Sequence, residues 1–475
     1  MEALADRSAV ELARLVATRE VSPVELAQAC LERLERYNPT LNAVVTRNER
    51  LLDDARALER RLAAGEDLGP LGGLPVGIKD VTPVAGLRTT FGSPVYRDYV
   101  PAEDALVVRR LRQAGALILG KTNCPEFAAG GNTFNDVFGR TRNPWDPSRS
   151  AGGSTGGGAA ALATGMIALA EGTDLGGSLR IPASFCGVVG LRPSVGLVPT
   201  APTEWAWDTL QVEGPVARTA KDVALMLQAV AGPSPLAPLG QPTTGRDFVA
   251  AVAAGVRPGL RLAYCPDIAG IGVDPAIEAA CRRAALALEE TGARVEPVEL
   301  DLSFGRAAFL ALRGLWFVTQ MYPRLEHLER FGQNVAGNIR AGLKTTTLEL
   351  ARAEAARGRM WQLFRGLFER FDHLLTPCMA VPPFPVEQNY PDTIAGKPME
   401  TYVDWLAPTF VLSLTGLPVA SVPCGLDPDG LPVGLQIVGR PFGEEAVLAL
   451  AHVVERQQPI GRPTLRGTAL PPRVS

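Results

Sequence analysis

Two serines carry the chemical interest of this chain. Both lie in AGGSTGGGAAALATGMIALAEGTDLGGSLR, residues 151–180, and each follows a pair of glycines: Gly152 and Gly153 before Ser154, Gly176 and Gly177 before Ser178. A hydroxyl beside glycines can be approached closely, and its neighbouring backbone N–H groups can converge on an oxyanion. Serine is a weak nucleophile until a base takes its proton. Histidine is the usual base, but only His327, His373 and His452 are present. His327 lies in the charged helical stretch RLEHLERF, His452 in a terminal helix, and His373 ahead of an apolar strand. None has a glycine-rich or turn context, which argues against a Ser-His-Asp arrangement. Lys79 ends the apolar run in GLPVGIKD. Burial there disfavours the charged amine, and a neutral lysine can accept a proton.

Each of these residues also has an ordinary reading. Lys79 could pair with Asp80 or extend its amine to solvent. Ser154 could cap the helix that follows it, and Ser178 could stabilise a tight turn. A second lysine motif is easier to dismiss. Gly115–Thr122 matches G-x-x-x-x-G-K-[ST], yet Ala116, Leu117, Ile118 and Leu119 form a buried strand where a phosphate loop needs glycine, and Pro125 disfavours an immediate helix.

The elements that must position these groups alternate. Ser8 with Glu11 and Ser22 with Glu25 predict two capped helices, the second with Pro23 in its first turn. Strands are expected over 41–46, 74–78, 116–119, 188–191, 260–264, 293–298, 373–376, 419–423 and 433–438. Helices are expected over 53–64, 104–114, 159–170, from 274 to just before Gly292, through most of 304–371, and over 444–456. This alternation implies an α/β class with a largely buried sheet. The 475 residues read as a single domain, 1–475, with no internal repeat.

Composition narrows the partners. The net charge of −3 gives no electrostatic case for nucleic acid or an anionic membrane. The longest nearly apolar stretch, 159–170, is too short to span a bilayer. The N-terminus has no signal-peptide pattern, and the seven cysteines include no C-x-x-C pair. A cytoplasmic protein without metal or cofactor is expected, monomeric or a homodimer, acting on a small molecule.

Taken together, the spaced segments resemble the amidase signature family. That family pairs a GGSSGG-like segment with a GTDxGGSxRxPA segment, its two serines 24 residues apart; Ser154 and Ser178 stand at that spacing. GLPVGIKD, GKTNCPEFA, TRNPWD, GPVARTAKD, TPCMAVPPFP and GLPVGLQIVGRPFGEE also look family-like, so the resemblance covers nearly the whole chain. It implies a large mixed β-sheet core flanked by helices on both faces, with the signature region at 70–220 and a helical, pocket-lining region at 300–410. It implies a Ser-Ser-Lys triad: Ser178 as the acylated nucleophile, Ser154 on a cis peptide as proton relay, and Lys79 as base. The N–H groups of Leu175, Gly176, Gly177 and Ser178 would form the oxyanion hole, with Asp174 and Arg180 bracing the loop. Thr155 departs from the family's second serine but keeps a hydroxyl.

The expected reaction is hydrolysis of an amide, anilide or carbamate, with ester or urethane cleavage as side activities. The alternative within the family is the glutamine-dependent aminoacyl-tRNA amidotransferase, of which the family supplies one component, and outside it a non-catalytic binding protein on the same fold. The amidotransferase component typically carries an acidic, serine-rich stretch after GKTN; here residues 128–133 are small and nearly apolar. Ala128, Ala129, Gly130 and Gly131 are therefore expected to leave room beside the nucleophile. Gln388, with the 382–385 prolines, Tyr390 and Trp405, would form the opposite wall.

Overall fold

The computed structural model describes residues 4–465. Eleven strands build one sheet. In chain order they are β1 (Val44–Arg47), β2 (Pro75–Lys79), β3 (Leu117–Thr122), β4 (Leu169–Asp174), β5 (Val189–Arg192), β6 (Val212–Ala217), β7 (Arg261–Tyr264), β8 (Arg294–Pro297), β9 (His373–Pro377), β10 (Val419–Leu426) and β11 (Pro432–Val438). Across the sheet they run β1-β3-β2-β4-β6-β5-β10-β11-β9-β7-β8. β2 is parallel to both β3 and β4, whereas β4 and β6 are antiparallel, so the sheet is mixed. Helices flank it, as the α/β reading requires.

The sheet divides two apolar cores. Successive side chains of a strand point to opposite faces. Leu262, Leu375, Ala420 and Ile437 belong to one core. Their immediate neighbours Ala263, Leu374, Val419 and Val438 belong to the other. Burying a side chain such as Leu375 or Ile437 completely is worth about 1.5–3 kcal/mol. All seven cysteines are buried and none forms a disulfide.

Local sequence sets the element ends. Pro23–Leu41 has the full capping box: Glu25 N–H donates to Ser22 Oγ at 3.1 Å, and Ser22 N–H to Glu25 Oε2 at 2.8 Å. Ala9–Ala17 has half of one. Ser8 Oγ accepts from Glu11 N–H at 3.2 Å, but the Glu11 carboxylate turns to Arg7.

The helix expected over 159–170 needs correction. It is Gly156–Ala163, and it stops at Thr164, before Gly165 with φ +75°. The chain then enters β4. That turn is what delivers Thr173 and Asp174 to the centre of the sheet. β6 has no counterpart among the expected strands; Gly214 and Pro215 disguise it, because both residues normally punctuate strands. Among the described residues, no helix is long and apolar enough to cross a membrane.

Candidate active site

β2, β3 and β4 are parallel, so Lys79, Thr122 and Asp174 reach the same edge of the sheet at the carboxyl ends of their strands. Ligand sites of α/β sheets form at such edges. Lys79 is fully buried. Its Nζ donates to Ser154 Oγ at 2.7 Å and to Thr173 Oγ1 at 2.8 Å. Burial pushes the Lys79 amine down to about 8, against a smaller opposing pull from Cys124, Glu171 and Asp174. The solvent-reaching and Asp80-paired readings of Lys79 are thereby set aside.

A second lysine shows that burial alone does not select the base. Lys121 is equally buried, and burial pushes it down to about 8 as well. Its Nζ donates to the Thr82 carbonyl and, at 3.0 Å, to Thr89 Oγ1, and it meets neither glycine-flanked serine. Geometry therefore distinguishes Lys79. Gly115–Thr122 is confirmed as a strand with its approach turn, and the helix a phosphate loop needs is absent after it.

Ser154 does not cap a helix. Thr155 occupies the N-cap position of Gly156–Ala163 and provides no side-chain cap. Its hydroxyl, expected to replace a serine hydroxyl, is buried without a hydrogen-bond partner. The Gly153–Ser154 peptide is cis. Gly153 allows a close approach here: a Cβ on it would stand 2.9 Å from the Gly130 carbonyl oxygen.

Ser178 lies against this segment, its carbonyl accepting from Thr155 N–H at 3.2 Å. From Ala151 to Cys186 every residue is buried except Ser178. The loop before it depends on glycine. Gly177 has φ +125°, and a Cβ there would come within 2.2 Å of Thr409 Oγ1. Of the four N–H groups expected at an oxyanion hole, that of Gly177 is already engaged, donating to Asp174 Oδ1 at 2.8 Å. Those of Leu175, Gly176 and Ser178 hydrogen-bond to no described residue.

Asp174 and Arg180 do brace this loop, and Arg192 joins them. The Asp174 carboxylate accepts from Arg180 Nε at 3.0 Å, from Arg192 at 3.3 Å and from Leu179 N–H at 3.2 Å. Burial alone would push the Asp174 carboxyl up; Arg180 and Arg192 outweigh it and hold the group well below the usual carboxylate range. Asp174→Ala strands two buried guanidinium groups and is expected to cost about 3–5 kcal/mol of folding stability. Urea denaturation measures this, and a loss below about 1 kcal/mol would contradict the bracing role.

Of the small residues 128–131, only Ala128 borders the cavity found beside Thr173. A cavity of about 340 Å³ reaches Thr173 and is lined by Phe91, Tyr99, Phe127, Ala128, Trp316 and Met321 among others. Ala129, Gly130, Gly131 and Gln388 are not in its wall. A Cβ on Gly131 would meet Trp405 and Leu406 at 2.5 Å, so the space is already filled. Gln388 contributes its carbonyl to Asn132 Nδ2 at 2.7 Å, and Trp405 stacks on Phe185 within the core. Ser178 is not in the cavity wall either; the link from the cavity to Lys79 runs through Thr173. Thr173 stands inside the 151–180 segment, and Arg192 ends β5 beyond it; neither carries the glycine flanks that mark the two serines. The three histidines contact none of Lys79, Ser154 and Ser178; His373 is buried in β9 and held down to about 4 by burial.

The family model described as Amidase matches residues 25–448. The chain belongs to the amidase signature family. It is 39% identical to an acylamidase of Rhodococcus erythropolis over 461 residues, covering 95% of each chain. It is 36% identical over 477 residues to a glutamyl-tRNA(Gln) amidotransferase component of Moorella thermoacetica, covering 94% of this chain and 96% of that one. Among solved structures, a bacterial aryl acylamidase of the amidase signature family superposes with a TM-score of 0.89 at 31% identity, covering 95% of this chain and 96% of that one.

Proposed function

We propose that this amidase-family protein is a stand-alone hydrolase of aryl or alkyl amides and anilides, working through an acyl-enzyme on Ser178. The observation that carries this reading is the buried Lys79–Ser154 contact beside the one accessible residue of the signature segment, Ser178. Neutral Lys79 accepts the Ser154 proton as Ser154 takes the proton of Ser178. Ser178 Oγ then bonds to the substrate carbonyl carbon, and the carbonyl oxygen becomes an oxyanion facing the free N–H groups of Leu175, Gly176 and Ser178. When the C–N bond breaks, the departing amine takes a proton back from Ser154, which recovers one from Lys79. Water repeats the same relay to release the acid and restore Ser178.

The aromatic cavity supports the substrate class. Phe91 stacks on Phe127 with centroids 5.5 Å apart, giving a flat apolar wall suited to an aryl or alkyl group. Carbamates and esters present the same carbonyl to Ser178 and are proposed as side substrates. The relatives that serve in tRNA amidotransferases favour a second reading, a glutaminase that works within a complex. The purified chain alone should turn over anilides such as 4-nitroacetanilide. Activity confined to glutamine and dependent on added partner proteins would overturn the first reading in favour of the second.

A further inference from the structure

The cavity wall holds two carboxyl groups outside the proposed relay: Glu204, exposed and paired with Arg324, and the buried Glu213. Glu213 lies on β6 opposite Thr173 of β4. Directly opposed residues of an antiparallel pair share one face, with Cβ atoms about 5 Å apart. Thr173 is the residue that holds the Lys79 amine. Glu213 is thus one side chain removed from the proposed base.

Several other polar groups at or beside the cavity are matched. Arg324 pairs with Glu204 at 3.4 Å and also donates to the Gln320 carbonyl at 2.9 Å. Gln320 Nε2 donates to Thr203 Oγ1 at 2.9 Å, and Trp316 Nε1 to Asp208 Oδ2 at 2.6 Å. Glu213 is only 5% exposed, and its Oε2 is buried without a hydrogen-bond partner. Arg110 is the nearby cation, but its guanidinium is spent on the carbonyls of Val230, Gly232 and Pro233. A buried carboxyl oxygen without a partner costs stability. Its proton affinity reflects the same isolation: burial and the Glu171 carboxyl push Glu213 well above the usual carboxylate range.

Such a group is retained at a cost when something other than the protein completes it. We propose that Glu213 is a specificity-determining residue, its carboxyl oxygen accepting a hydrogen bond from an N–H group on the part of the substrate that fills the cavity. The substrate class is an otherwise apolar amide bearing a second N–H donor, supplied by either a neutral carboxamide or an ammonium group. This inference rests on the hydrolase reading and narrows it. A site built around a hydrogen bond rejects analogues lacking it, because the protein group is then left unpaired.

The test uses two series of anilides, varied in the acyl chain or in the amine, each ending in methyl, carboxamide or ammonium. In one series the wild type should favour a donor-bearing member over its methyl counterpart by about tenfold or more in kcat/KM, mostly through KM. Glu213→Leu should abolish that ratio while retaining turnover of the methyl-ended member. Glu213→Gln, which still accepts a hydrogen bond, separates the sources. It should preserve a carboxamide preference and lose an ammonium preference. The Glu213→Leu melting temperature should equal or exceed the wild-type value. An unchanged ratio in both series, or a lower melting temperature with an unchanged ratio, would overturn the proposal and leave Glu213 structural. No preference in the wild type, with methyl-ended anilides hydrolysed well, would also overturn it while sparing the hydrolase reading. Failure of the wild type on every member would overturn both.

Discussion

Ser178→Ala is expected to lower kcat on a good anilide by on the order of 10⁶-fold, the scale of losing the nucleophile from a serine relay. The variant should also lose any pre-steady-state burst, since no acyl-enzyme can accumulate. Fold and stability should change little. The Ser178 side chain makes no hydrogen bond to a described residue, and the residue is not fully buried. Its carbonyl, which receives Thr155 N–H, survives the substitution. Mass spectrometry of wild type quenched during turnover should find the acyl adduct on the peptide containing Ser178. An adduct on Ser154 instead, or retained turnover in Ser178→Ala, would refute the nucleophile assignment.

Lys79→Ala removes the proton acceptor and is expected to cost about 10²–10⁴-fold in kcat. The pH dependence gives the sharper result. Protonated Lys79 cannot accept a proton, so kcat/KM should fall as pH drops through the Lys79 titration. That limb belongs near 8, because burial holds the amine there; a free lysine would place it at about 10.4. The limb should vanish from the residual activity of Lys79→Ala. Lys121→Met should leave it in place, since Lys121 reaches neither serine, although it titrates in the same range. A limb that persists in Lys79→Ala would assign the base to another group.

The residues of the proposed relay were legible as candidates because each is marked by short-range grammar. A glycine pair before each serine and a lysine ending an apolar run are each visible within a few residues, although the segments lie far apart in the chain. The capping boxes and the amphipathic helices of the helical region are equally local. What escaped depends on contacts between distant segments. The helix over 159–170 ran too far because MIALAE is buried on both faces and shows no period to separate helix from strand; the decisive marks were Thr164 and Gly165. Gly131 suggested open space, yet Trp405 and Leu406 from the far end of the chain fill it. Glu213 became distinctive only when β6 paired with β4 and left its Oε2 without a partner.

Lys79 and Ser154, which touch at 2.7 Å, are 75 positions apart along the chain. The parallel pairing of β2 with β3 and β4 that buries the lysine requires crossover connections, and such long-range pairings close slowly. Until they close, the amine sits in water with its ordinary proton and Ser178 is a plain alcohol. On the proposed relay, a nascent or refolding chain therefore carries no armed nucleophile beside its own amide bonds. Enzymatic activity returns with closure of the central sheet, so regain of turnover after denaturation clocks the completion of long-range strand pairing.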